Sequence, residues 1–122
     1  MTMRKVFITN HIEYNAVIVT ARDEYNRVLA EHMSILDQDR DVTGALLVSL
    51  IDVMHKLSAG NNIKLVDFDT VFTNKFVYRC RIWRKFDWNV YDADHVHREL
   101  WEELWRLRRF NKIYTVHSVA TP

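Results

Sequence analysis

The chain has 122 residues, 48% of them hydrophobic and 12% aromatic, with a formal net charge of +1. The expectation is a single domain, residues 1–122, with enough apolar side chain for a real core, and the composition argues against a disordered chain. Near-neutrality excludes a bulk field that would hold the protein on nucleic acid or an anionic membrane, so such binding would need a local patch.

The two halves differ modestly: residues 1–73 carry 7 basic and 10 acidic side chains, a balance of −3, while residues 74–122 carry 10 and 6, a balance of +4. One cysteine, Cys80, rules out an internal disulfide and a four-thiolate zinc site; it fits a reducing compartment and reads as a small core residue. The start, MTMRKVFITNH, holds only a three-residue apolar run, too short for a secretory signal, and no run reaches the ~18 apolar residues of a membrane span. The expectation is a cytoplasmic protein with no membrane partner.

Residues 5–9 and 16–20 read as strands, with Asn10, His11 and Asn15 as turn candidates. Thr20 and Asp23 match a capping pattern, so a helix is expected from Ala21 with the stripe Tyr25, Val28, Leu29, Met33 and Leu36. His32 falls on that stripe and reads as a hydrogen-bonded, partly buried core residue. Asp37, Asp39 and Asp41 have the spacing of a calcium loop, but Val42 and Val48 stand where that loop needs glycine and a bidentate glutamate. Asp41 or Thr43 is therefore the cap of a second helix, from about Gly44 to Ala59 and stopped by Gly60. That helix is apolar nearly all round, Leu47 and Met54 included, with Ser49, Asp52 and Lys56 as a narrow polar strip. It belongs either between the sheet and other helices or at a subunit interface.

Residues 63–72 and 76–86 are rich in aromatic and branched side chains and alternate as strands. A three-residue loop, Thr73 to Lys75, separates apolar from charged faces and sets Asp67 opposite Arg81 and Asp69 opposite Arg79. Trp83, Arg84, Lys85 and Trp88 continue that edge as a tryptophan–arginine patch of the kind found at binding hot spots.

A third helix is expected from about Ala93 to Arg109, with Val96, Leu100, Leu104 and Leu107 as its stripe and Trp101 and Trp105 widening the apolar arc. Its other face carries His95, Glu99, Glu102, Glu103, Arg106 and Arg109 and is solvated. Ile113 to Val119 alternates as a last strand.

There is no glycine-rich phosphate loop, nucleophile elbow or paired-cysteine motif. His95 and His97 point about 160° apart on a helix, and His95 with Glu99 supplies only two ligands, so neither a metal nor a cofactor is expected.

The fold expected is α+β, an antiparallel sheet of about four to five strands with three helices mainly on one face, in the order ββααββαβ. The function expected is a non-enzymatic adaptor or inhibitor that binds a protein partner through Trp83, Arg84, Lys85, Trp88, Arg79 and Arg81. The alternatives are nucleic-acid binding by the same arginines with Arg108 and Lys112, Trp83 stacking on a base, and a small metal-dependent hydrolase using His95, Glu99 or the Asp67–Asp69 pair. A homodimer would form through Trp101, Trp105, Leu47 and Met54.

Overall fold

The structure is a computed structural model and describes residues 3–36, 41–89 and 97–116. Strands β1 (Arg4–Glu13), β2 (Ala16–Asp23), β3 (Val28–Ile35), β4 (Asn61–Val66) and β5 (Lys112–Val116) form one sheet in the order β3-β2-β1-β4-β5. The first three pair antiparallel, while β1–β4 and β4–β5 pair parallel. The sheet is therefore mixed, and the purely antiparallel expectation is corrected. A parallel pair needs a long crossover, and helix α1 (Val42–Lys56) lies between β3 and β4 in the chain.

Both expected strands near the N-terminus form, closed by a turn at Tyr14 and Asn15 with Tyr14 at φ 54°. The helix expected from Ala21 is instead the end of β2, a turn and β3. Asp23 explains the difference. Its carboxylate accepts from the backbone N–H groups of Tyr25 (2.9 Å) and Arg27 (3.0 Å) and from Arg27 Nε (2.7 Å), which closes a turn where a capping box would start a helix. Thr20 donates across the strands to Glu31 at 2.8 Å. The supposed helical stripe then splits: Leu29 and Leu36 pack against the core, while Tyr25, Val28 and Met33 are exposed.

Helix α1 begins where Asp41 accepts from Gly44 N at 2.7 Å. It packs against β2, β3 and the C-terminal helix α4 (Arg98–Leu107). Leu47 and Met54 are buried inside the chain, so they are core and not a subunit interface. His32 lies on β3, its Nδ1 3.0 Å from Ser49 Oγ, and Ser49 donates to Ser34 Oγ at 2.9 Å. The polar strip of α1 is thus partly consumed by the sheet. At the other end His97 Nε2 meets both Asp41 carboxylate oxygens, at 3.0 and 3.1 Å. Gly44 permits this approach, because a Cβ there would lie 2.9 Å from His97 Cε1.

The second hairpin does not exist. β4 ends at Val66, Asp67 adopts φ 54°, and Asp69 accepts from Phe72 N at 3.1 Å to cap α2 (Thr70–Asn74). The chain continues through a π-helical turn, Lys75–Arg79, into α3 (Cys80–Lys85). The cross-strand pairs Asp67–Arg81 and Asp69–Arg79 have no strands to form on. Phe72, Phe76, Cys80 and Trp83 recur at helical spacing and are all buried, which outweighs the alternation of charge over the same residues. Counting this rod as one body gives three helical bodies among the described residues, with a different order from that expected. The segment before α4, Val96 and His95 included, and everything from His117 onward lie outside the described residues.

Candidate nucleic-acid interface

The site is built on an aromatic cluster that joins the rod to α4. Ring centroids are 5.0 Å apart for Phe72–Trp101, 6.0 Å for Trp83–Trp101, 6.5 Å for Trp83–Trp88 and 6.5 Å for Trp88–Trp105. Trp101 is fully buried, and Trp83 and Trp88 are 5% and 8% exposed. These three tryptophans are packing residues. Trp83 and Trp88 cannot anchor a partner, and Trp101 cannot form a dimer interface, because their surfaces are already spent inside the chain. Trp105 is half-buried and carries Arg108 Cζ 4.3 Å above its ring centroid; Phe76 lies 5.7 Å from the same carbon.

With Phe76, Cys80 and Trp83 turned inward, helical geometry turns Arg81, Arg84 and Lys85 outward. All three line an open cleft with Trp105 and Arg108. It continues past Asp87 to Glu102 and Arg106 on α4 and to Arg109 just beyond it. Arg106 is neutralised, pairing with Glu102 at 3.0 Å and Glu103 at 3.2 Å. Among the described residues no ion pair holds Arg81, Arg84, Lys85 or Arg108. Burial and the positive charge of Arg81 and Arg84 push the Arg108 pKa below the ordinary arginine value, the mark of cations gathered without enough compensating anion. Planar guanidinium groups in this state suit phosphate, which they grip by paired hydrogen bonds.

The structure brings together Arg81, Arg84, Lys85 and Arg108 from the expected set. Arg79 is exposed at the end of the π-helical turn without lining the cleft, and Lys112 is exposed on β5. Glu102 and Arg106 on α4, and Arg109 after it, were not legible as cleft residues, since only the helical spacing of Phe76, Cys80 and Trp83 reveals which flank of the rod faces α4.

Of the groups named for a hydrolase, His95 lies outside the described residues, and Asp67, Asp69 and Glu99 are not brought together. The C-terminal ends of β1 and β4 lie side by side, a position where open α/β sheets bind ligands. There Asn10 Nδ2 donates to Asp67 O at 3.2 Å, Asp67 N donates to Val116 O at 2.9 Å, and Asp69 serves as a helix cap. Glu99 is exposed on α4 and His97 is bound to Asp41. Two-metal nucleases hold their ions with clustered ligands. Among the described residues no group of three or more His, Cys, Asp or Glu side chains is placed to hold a metal ion.

No protein-family model and no curated protein matches the sequence. Solved structures do. The foamy viral protease–reverse transcriptase, solved in complex with RNA/DNA hybrid, is similar to 98% of this chain with a TM-score of 0.63 at 12% identity. This chain spans 18% of that protein's length. The N-terminal RNase H domain of a Mycobacterium tuberculosis protein matches 96% of the chain and 88% of its own length, with a TM-score of 0.60 at 14% identity. LC11-RNase H1, also solved with RNA/DNA hybrid, matches 93% and 83%, with a TM-score of 0.56 at 11% identity.

The chain has the RNase H fold. The strand order, the antiparallel and parallel pairs and the crossover helix described above are its RNase H architecture in this sequence. This likeness overturns the expectation of a protein-binding adaptor or inhibitor: the similar structures are nucleic-acid enzymes' domains, and the tryptophans that were to meet the protein partner are interior. Among the described residues no helix is long and apolar enough to cross a membrane.

Proposed function

We propose that this chain binds nucleic acid through the cationic cleft between α3 and α4, with Arg81, Arg84, Lys85 and Arg108 contacting phosphates. The observation that carries this reading is the convergence of Arg81, Arg84 and Arg108 beside Trp105, where burial first, and then the positive charge of Arg81 and Arg84, hold Arg108 below its ordinary pKa. A bound phosphate would relieve that repulsion. Support also comes from the similar structures solved with RNA/DNA hybrid or double-stranded DNA, since the same fold carries such ligands there. Contacts to phosphate position a strand without reading its sequence, so the binding should be sequence-tolerant.

The test is fluorescence anisotropy with a labelled RNA/DNA hybrid. Arg84→Ala together with Arg108→Ala should weaken binding roughly tenfold or more, two charge-assisted contacts being lost at about 1 kcal/mol each after screening. A double variant that binds like the parent would overturn the reading.

A further inference from the structure

The outer face of the rod differs from the cleft beside it. Tyr78, Ile82 and Phe86 follow one another at four-residue intervals and are 63%, 45% and 62% exposed, although each is large and apolar. The buried side of the same rod already holds Phe76, Cys80 and Trp83, so this row contributes nothing to the core. At ~1.5 Å rise per residue it extends about 12 Å, long enough for more than one base. Arg81 and Lys85 lie on the same exposed side, and Arg84, next in the chain to Lys85, enters the cleft.

Resting on the nucleic-acid reading above, we infer that the site takes a single-stranded tract, its phosphates in the arginine cleft and its unpaired bases on Tyr78, Ile82 and Phe86. A duplex keeps the faces of its bases within its own stack and offers a surface only of phosphate, sugar and base edges. An apolar row gains little against that surface. An unpaired base exposes a π-face, and aromatic side chains beside a cationic track are the arrangement that holds single strands without sequence preference. Charge complementarity selects this occupant: the row is bordered by Arg79, Arg81 and Lys85, none ion-paired among the described residues, which favours a polyanion that also carries flat apolar groups.

The experiment measures anisotropy for labelled oligothymidine, oligouridine and a duplex DNA of the same length, using the full chain and the variants Tyr78→Ala with Phe86→Ala and, separately, Arg84→Ala with Arg108→Ala. Both ring positions are exposed, so circular dichroism and unfolding should be unchanged in the first pair. That pair should lower affinity for one or both single strands roughly tenfold or more and leave duplex affinity within about twofold. The arginine pair should weaken every probe. Ring variants that bind single strands like the parent, or that weaken duplex equally, would overturn this inference alone. Failure of the parent to bind any of these probes or the RNA/DNA hybrid would overturn the nucleic-acid reading together with it.

Discussion

The two ends of the rod–α4 layer treat their polar groups in opposite ways. At the sheet side most are matched, Asn62 Oδ1 excepted: Asp41 caps α1 and holds His97, Ser49 joins Ser34 and His32, and Asn61 and Asn111 bond to one another and to backbone. At the outer side Arg81, Arg84, Lys85 and Arg108 share one cleft and repel. Matched groups stabilise the fold, whereas an accumulated single sign costs stability, a cost that the polyanion of the proposed function would offset. The comparison separates structural polar chemistry from functional chemistry without reference to any relative.

That contrast can be broken in either direction, and the largest effect should come from the layer's centre. Trp101 is fully buried against Phe72 and Trp83, so Trp101→Ala should cost about 3–5 kcal/mol in urea unfolding. A loss under about 1 kcal/mol would show that the aromatic cluster does not hold the rod on α4. Next comes the asparagine bridge. Asn111 Oδ1 accepts from both Asn61 N and Asn61 Nδ2 at 3.1 Å, and Asn111 Nδ2 donates to Leu107 O at 3.3 Å, tying β4 to the end of α4. Asn111→Ala leaves a buried donor short and should cost about 1–3 kcal/mol by the same assay.

Acid should act more mildly. Asp23 is drawn below the usual carboxyl range first by the backbone N–H of Arg27, with help from the Arg27 guanidinium and Tyr25 N–H against the opposing effect of burial. A carboxyl lowered by folding contributes fully above its unfolded pKa of about 4 and loses that contribution as pH falls through the lowered folded value. The stability gap between the parent and Asp23→Asn should therefore narrow between neutral pH and about pH 3; a gap that widens on acidification would reverse the assignment. The smallest effect belongs to the cleft: Arg84→Ala should leave stability within about 0.5 kcal/mol or raise it slightly, since only repulsion is removed. A marked loss would make Arg84 a structural residue.

Much of the fold was legible locally. The β1–β2 pair, α1 with its Asp41 cap, the body of α4 and β5 all follow from periodicity and capping, although α1 ends at Lys56 with Leu57 as its cap, short of the expected stop at Gly60. Two segments were not, and each failed because short sequences satisfy two periods at once. Thr20 and Asp23 fit a capping box as well as the turn that Arg27 completes, and residues 76–86 alternate charge while also placing Phe76, Cys80 and Trp83 at helical spacing. The parallel β1–β4 pairing joins residues 57 apart in sequence, as in Arg4 with Asn61, and no local pattern records it. For the site, the arginines were legible as cations and the tryptophans as aromatics. Which of them faced outward depended on the helix that replaced the hairpin, so Arg84 and Arg108 survived as candidates while Trp83 and Trp88 became core.

The central claim, that the unmatched cleft binds phosphate, is tested most directly by the salt dependence of hybrid affinity in the parent protein. Three or four cations meeting phosphates should give a linear fall of log affinity with log salt, with a slope of roughly −3, from about 50 to about 200 mM. The slope should become shallower by about one for each arginine removed. An affinity unchanged across that range would contradict the account.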